Sequence, residues 1–480
     1  MSKLRRTTLL CTALALTVTP FTATSAATRM TAPPERSVYV NGLVSRDVMT
    51  FRVRPDGGLV TPPRTVNADG GTRGIVLSAD GRTAYVAVGF DPNKGDDASV
   101  IRTYRIGADG GLTPYGPVVA TGAEPVSLAL TPGGGTLYVS NRIDNTISAF
   151  TVAPDGALSP LGEPVASGEV QPNGLAVTPD GRFLYVSHRG KDAGDFDAVT
   201  TFAIDAGGAL SPKHGSTPIG RSGGAMAVTP DGKYLYVPCS DSGDLFAFAI
   251  GADGKLSEVA GSPFDPPDLP ISAVATPDGR HLYVADGGLL LSGSKSVTTY
   301  DIGAGGVLRH RGEVDAHKSP VALALSPSGR RLYVSNIDSD DVSGFAADPG
   351  GALTALPGSP YDMGKGDEQA ALQAVAVSPD QGPVASLSSR VEGLRVSFDA
   401  AASSDPDGRV VRYDWDFGDG AKLADGGAAP VHTYALPGRY VVTVTVVDDE
   451  GCSVVAVYTG QSVSCNGSPK ARATLPVTVR

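Results

Sequence analysis

Seven times the chain writes Tyr-Val near the end of a short apolar run, at Tyr39, Tyr85, Tyr138, Tyr185, Tyr236, Tyr283 and Tyr333. The spacings are 46, 53, 47, 51, 47 and 50 residues, a mean of 49. Ahead of most copies stands a turn phrase. It is clearest at Thr178-Pro179-Asp180-Gly181, between Leu175-Ala176-Val177 and Phe183-Leu184-Tyr185-Val186. Asp-Gly supplies the backbone conformations of a tight turn, and Val, Phe, Leu and Tyr suit paired strands, so each copy predicts a β-hairpin. A regular repeat of this length built from short strands predicts a β-propeller, each repeat being one four-stranded blade.

The turn phrase also occurs seven times, out of step with the tyrosines. Its copies are Ser78-Ala79-Asp80-Gly81, Thr131-Pro132-Gly133-Gly134, Thr178 to Gly181, Thr229 to Gly232, Thr276 to Gly279, Ser326 to Gly329 and a degenerate Ser378-Pro379-Asp380-Gln381. The first Tyr-Val lacks a turn before it and the last turn lacks a Tyr-Val after it. Strand Val375-Ala376-Val377 should therefore supply the inner strand of the blade that begins at Ser37 and close the ring, which removes exposed sheet edges. Turn glycines and strand tyrosines read as structural, and no function is assigned to them.

Strand direction alternates across a blade, so loops sort onto two faces. The Thr-Pro-Asp-Gly turns and the third-to-fourth turns share a tight-turn face, and the longer loops share the other. Long excursions occur in alternate blades, from Gly89 to Ser99, His188 to Ala198 and Gly287 to Ser296. Variable loops on a rigid scaffold are where binding concentrates. Candidate ligand-binding residues before the inner strands are Arg73, Glu124, Asn173, Arg221, Asp268, His317, Lys318 and Glu368, and His188 and Arg189 begin one long rim loop. An Arg/His/Glu collection suits an anionic or sugar ligand. The competing reading is a set of solvated groups around a water-filled channel.

Residues 1–27 read as a signal peptide: Lys3, Arg5 and Arg6, an apolar core from Leu9 to Val18, and cleavage after Ala27. The core is too short to span a membrane. Arg5-Arg6 is compatible with twin-arginine export, although Thr8 stands where that signal prefers an apolar residue. Removal of those three basic residues takes the formal charge from −11 to −14, against nucleic acid or an anionic membrane surface as partner. Cys452 and Cys465, 13 apart in an oxidising compartment, are the natural disulfide pair, and Cys239 is left as a buried free thiol. His214, His281 and His310 suggest no shared site, and zinc spacing, phosphate loop and serine elbow are absent. The Asp-rich stretch from Asp91 to Asp97 lacks the ordered ligand spacing of a hand-type calcium loop. No resident cofactor is expected, calcium being the minor alternative.

The Leu-Tyr-Val-Ser-Asn repeats with a preceding Thr-Pro-Asp-Gly resemble Tyr-Val-Thr-Asn propellers and the seven-bladed lactonase family, over about residues 36 to 382. Lactonases of this type share a histidine just before the inner strand of a blade whose second strand reads Val-Pro. The matching stretch here is Gly223-Gly224-Ala225-Met226-Ala227-Val228, followed by Tyr236-Val237-Pro238-Cys239 and Asp244. Glycines stand where the histidine belongs. Lactone opening needs a base for water and cations for the oxyanion, so the base would have to come from elsewhere.

Beyond Ser378 the pattern changes. Phe398 to Gly408, then Tyr413-Asp414-Trp415-Asp416-Phe417-Gly418-Asp419-Gly420, His432-Thr433-Tyr434 and Pro437-Gly438-Arg439-Tyr440 closely resemble the polycystic-kidney-disease (PKD) domain. The resemblance implies an immunoglobulin-like β-sandwich over residues 383–480, with the propeller over 28–382. Period-two alternation through Tyr440, Val442, Val444 and Val446 agrees, and Trp415 reads as a core anchor. Asp405, Asp407, Asp416 and Asp419 read as turn residues, with a calcium site as the lesser alternative.

The expected fold class is thus all-β: a seven-bladed propeller closed by its terminal strands, plus a PKD sandwich. The expected function is a secreted, extracellular and monomeric binding or scaffold protein. Its variable-loop face would recognise a small molecule or polysaccharide, with the PKD domain as spacer or adhesion module. A secreted lactonase-like hydrolase acting on a sugar or acyl lactone is the alternative, and a structural coat protein a third.

Overall fold

The computed structural model describes residues 36–91, 96–190, 197–212, 214–287, 295–364 and 374–480. The signal segment with its cleavage site, Glu368, and the side chains of the Asp91 to Asp97 stretch lie outside the described residues, as do the centres of the three long rim loops. Among the described residues every regular element is a strand apart from two short 3-10 turns.

Seven antiparallel sheets of four or five strands form the blades of the propeller. The ring closes as the displaced repeats require. Val375–Val377 forms the innermost strand beside Ser37–Asn41, in the register Val38 to Val377, Tyr39 to Ala376 and Val40 to Val375. Blade 4 shows the unit: Pro172–Val177, Phe183–His188, Ala198–Ala203 and Gly215–Pro218, in that order from the axis outwards. Its two inner strands are buried along their whole length because each blade is packed between two neighbours. In the turn, Asp180 accepts hydrogen bonds from the Thr178 hydroxyl at 2.6 Å and the Arg182 amide at 3.1 Å.

The repeated tyrosine has a specific mechanical role. Each of the seven phenols donates to a glycine carbonyl in the third-to-fourth turn of the next blade, at 2.6–3.1 Å: Tyr39 to Gly110, Tyr85 to Gly156, Tyr138 to Gly208, Tyr185 to Gly254, Tyr236 to Gly306, Tyr283 to Gly351 and, across the closure, Tyr333 to Gly57. The acceptor glycines all have positive φ, between 75 and 89° counting Gly57, Gly110, Gly156, Gly208, Gly254, Gly306 and Gly351. Such a backbone turns the carbonyl towards the neighbour, and L side chains rarely tolerate it. The ring is therefore joined once by a shared sheet and seven times by phenol latches.

The C-terminal module is a sandwich of two sheets. Ser388–Glu392, Arg395–Asp399 and Val431–Thr433 form one, and Lys422–Leu423, Val410–Asp416, Gly438–Asp448 and Arg472–Val479 form the other. Val396, Phe398, Trp415, Phe417, Tyr434, Val442, Val444, Val446, Val477 and Val479 build the core, and the Trp415 indole donates to the Gly427 carbonyl at 3.0 Å.

As a free spacer, this module departs from expectation, because it is docked. Its insertion, Val457–Tyr458 paired with Val463–Cys465, enters the propeller axis from the tight-turn face. Tyr458 and Val463 belong to the same buried cluster as Tyr138, Leu175, Val177 and Leu184. The degenerate turn explains the exit. Asp380 does not fold back into a second strand. It bridges in parallel to Cys465, and its carboxylate takes the Arg36 guanidinium at 2.6 Å.

Candidate functional site

On the open face, the residue just before the inner strand adopts positive φ in several blades: Glu124, Gln171, Ser222 and Ser319, with φ of 53, 52, 58 and 54°. Prolines 125, 172 and 320 follow three of them and start the strand. The carbonyl of each such residue is tied to the residue after the second strand: Arg142 to Glu124, Arg189 to Gln171, Ser240 to Ser222 and Ile337 to Ser319, at 2.9–3.1 Å. One repeat position thus presents a side chain from the inner strand beside one from the second strand.

In blades 2 to 4 this pattern assembles charge. Arg142 grips Glu124 with both guanidinium arms, one bond being 3.0 Å from Nε to Oε2 and the other joining Nη2 to Oε1. Arg73 approaches the same Oε1 at 2.7 Å, and its buried Nε has no hydrogen-bond partner. Burial lowers the Arg73 pKa, Glu124 opposes that, and Arg142 adds to it. Glu124, Arg142, Ile143, Asn145, Gln171 and Arg189 line an open cleft of about 470 Å³. Two arginines share the Glu124 carboxylate, and Arg189, which also acts on Asp197, lines the same cleft. Forked guanidinium groups match carboxylates geometrically.

Of the sequence candidates, Arg73, Glu124 and Arg189 lie together here. Others are placed elsewhere, some of them buried. His188 is buried, its Nδ1 donating to the Val170 carbonyl at 3.2 Å and its Nε2 accepting from Thr200 at 3.0 Å. Asn173 is buried and donates to the Gly223 carbonyl at 2.8 Å. Arg221 turns to the Asp241 carbonyl at 3.0 Å, and Asp268 accepts from the Leu269 amide. Lys318 is exposed on blade 7. Beside it, His317 Nδ1 stands 2.5 Å from Asp341 Oδ2, and Asn336 donates to the other carboxylate oxygen at 2.7 Å. A carboxylate only accepts, so Nδ1 carries the proton, on a half-exposed ring.

Arg142 and Gln171 were missed by sequence reasoning. A signal existed: Arg142 follows Tyr138 by four residues, as Arg189 follows Tyr185, so both hold one place in the repeat.

The position of the lactonase histidine is physically closed. A Cβ at Gly224 would run into the Ile271 carbonyl oxygen, and one at Gly223 would meet Ile219 and Ser187 at 2.8 and 2.9 Å. Here the inner strands of blades 5 and 6 touch directly, with Ala225 and Ser272 bridged in parallel. A side chain at Gly224 would force them apart. The axial cavity beyond is about 100 Å³ and lined largely by Val, Ala and Leu, below the roughly 300–1,000 Å³ of small-molecule sites.

A second cluster lies where the module meets the propeller. Arg36 faces Asp380, Glu450 and Asp407 at 2.6, 2.9 and 3.5 Å. Burial first, with crowding by other carboxylates, pushes Asp405 and Asp448 up to about 7. Burial does the same to Asp407 and Glu450, to about 6 and about 7, against the pull of Arg36. Asp380 Oδ2, Asp448 Oδ2 and both Asp405 oxygens are buried without hydrogen-bond partners. Asp380 and Asp448 offer ligand atoms within 4.8 Å of one another, as does Cys452, whose sulfur is committed to the Cys452–Cys465 disulfide. The remaining oxygens suit a hard cation such as calcium. Of the four turn aspartates, Asp405 and Asp407 belong here. Asp416 pairs with Lys422 at 3.3 Å and Asp419 with His432 at 2.7 Å. The free thiol of Cys239 is buried.

Known proteins share both parts. The 6-phosphogluconolactonase of Erwinia tasmaniensis is 25% identical over 339 residues, 68% of this chain and 96% of its own length. The solved periplasmic gluconolactonase of Pseudomonas aeruginosa superposes with a TM-score of 0.59 at 20% identity, covering 72% of this chain and 99% of that one. In the C-terminal region a pre-pro-metalloprotease of Vibrio cholerae is 43% identical over 91 residues, 19% of this chain, and the chain spans only 10% of that relative's length. A PKD domain model matches residues 380–460. That domain and the disulfide point to an extracellular or periplasmic protein. The model for the seven-bladed β-propeller lactonases matches residues 32–171, 162–267 and 271–364. With seven sheets closed into one ring, the chain belongs to the lactonase family of seven-bladed β-propellers and carries a PKD domain after it.

Proposed function

We propose that this is a secreted, monomeric binding protein whose open propeller face recognises an extracellular ligand bearing a carboxylate, of the sugar-acid or acidic-polysaccharide class. The observation that carries the reading is the cleft lined by Arg142, Glu124 and Arg189, with Arg73 paired to the same Glu124 carboxylate. An incoming carboxylate would compete with Glu124 for the two arginines it holds, while Arg189 lies free of that pairing on the same wall. The cleft has the size of a ligand site, whereas the axial cavity does not. A net charge of −11 disfavours extended polyanions, nucleic acid and anionic membrane among them, and so favours a single sugar acid over an acidic polysaccharide.

A second reading, hydrolysis of a sugar or acyl lactone, draws on the names of the relatives and on the oriented His317–Asp341 pair. Asp341 would hold the imidazole so that Nε2 can take a proton from water. Against it stand the closed histidine position at Gly223 and Gly224 and the lack of any described contact between His317 and the arginine cleft. Calorimetric titration with a panel of sugar acids and acidic oligosaccharides, beside a lactone-turnover assay, separates the two. Saturable binding weakened by Arg142→Ala, without turnover, is the expected result. Turnover abolished by His317→Ala would replace the binding reading with the hydrolytic one.

A further inference from the structure

The hairpin inserted in the PKD module has no part in the open-face cleft. It leaves the sandwich after Gly438–Asp448 and returns before Arg472–Val479, with Cys452 and Cys465 bonded across its base. Its tip lies among the inner strands of blades 3, 4 and 5. The Leu130 amide donates to the Gln461 carbonyl at 2.9 Å and the Val177 amide to the Gly460 carbonyl at 2.8 Å. In return, Tyr458 donates to the Leu130 carbonyl at 2.5 Å, and the Gln461 side-chain amide lies 2.9 Å from the Met226 carbonyl and 3.2 Å from that of Leu175. Leu130 and Val177 end their inner strands, and Leu175 lies within one and Met226 just before another. The tip fills the tight-turn mouth of the channel.

What keeps the tip formed is slight. Its two strands pair through only Val457 with Cys465 and Tyr458 with Val463. A hairpin that short is not stable alone. The disulfide closes the loop and removes most of the conformational freedom the tip would otherwise have. Cys452 and Cys465 are themselves buried, and both are among the residues that line an open groove of about 340 Å³ between the propeller turns at 276–281 and 327–330 and residues 450–452.

We propose that the hairpin is a releasable plug: the Cys452–Cys465 bond holds it in the channel mouth, and reduction of that bond lets it withdraw. A dithiol reductant supplies two electrons and two protons, one of each to either sulfur, and is itself oxidised to a cyclic disulfide. Both cysteines end as thiols, and the propeller, closed by its own strands and phenol latches, keeps its fold.

Hydrogen exchange on the full chain, before and after treatment with dithiothreitol, tests this. In the oxidised chain the Leu130 and Val177 amides should be as protected as those of Thr136–Asn141. After reduction, exchange at Leu130 and Val177 should rise by about tenfold or more while Thr136–Asn141 is unchanged. Equal protection before and after would overturn the proposal. So would loss of protection throughout the propeller, which would make the bond a support of the whole fold. Cys452→Ser with Cys465→Ser should reproduce the reduced pattern without reductant. Should that variant not fold, reduction of the folded chain decides.

Discussion

The two faces of the propeller are built from the same repeats and serve opposite ends. On the tight-turn face the blades repeat one geometry: a tight hairpin turn of the Thr-Pro-Asp-Gly type in blades 2 to 7, and in all seven a phenol latch on a positive-φ glycine. Uniformity there offers an array of inner-strand ends, and the chain fills it with its own hairpin. On the open face the same strand ends carry different residues in each blade: Glu124 and Arg142, Gln171 and Arg189, Ser222 and Ser240, Ser319 and Ile337. Variation there produces one charged cleft and one His–Asp pair. Regularity makes a socket for the protein itself, and irregularity makes a site for something else.

The largest effect should come from the plug. Tyr458→Ala removes a fully buried ring and its bond to blade 3, and should cost about 3–5 kcal/mol in urea unfolding of the full chain. A loss below about 1 kcal/mol would mean the two faces are equally open. In the cleft, Arg142→Ala should weaken sugar-acid binding about tenfold or more by removing the forked partner of Glu124. Unchanged affinity would move the site elsewhere on the open face. Tyr185→Phe should cost about 1–3 kcal/mol by leaving the Gly254 carbonyl without its donor, and equivalent changes at the other latches should cost the same.

The acidic junction has its own signature. Carboxyls raised to about 7 at Asp405, Asp448 and Glu450 hold protons more tightly folded than unfolded. Their contribution is therefore greatest below about pH 4 and is lost as pH rises through about 7. With a chelator present, the melting temperature should fall over that window, and calcium should flatten the fall by taking the place of the protons. The smallest effect is expected at exposed Lys318, where Lys318→Ala should stay within about 0.5 kcal/mol in stability.

Period and offset carry most of what could be read before any coordinates. The spacing of the tyrosines counts the blades, and the unmatched first and last copies fix the pairing of Val375–Val377 with Ser37–Asn41, because a sheet edge left open is costly. Trp415 in an alternating run reads as core and is core. The candidate site was legible only in part. Arg73, Glu124 and Arg189 could be nominated from their place before or after a strand, but His188 and Asn173 hold the same kinds of place and turn their polar atoms inward, while Arg221 bonds a backbone carbonyl at the surface.

What the chain determines by itself is whatever repeats locally: strand, turn, latch glycine, and the number of blades. These depend on neighbours in sequence or one repeat away, so the pattern exposes them. Only the tertiary structure decided that Gly223 and Gly224 leave no room for a histidine, since that depends on Ile219 and on Ile271 in the next blade. It alone decided that a hairpin some 280 residues beyond Val177 would satisfy that strand's last amide. Hydrogen-bonding groups at the end of an inner strand carry no mark in the sequence of what will pair with them. The partner is chosen by where the chain returns.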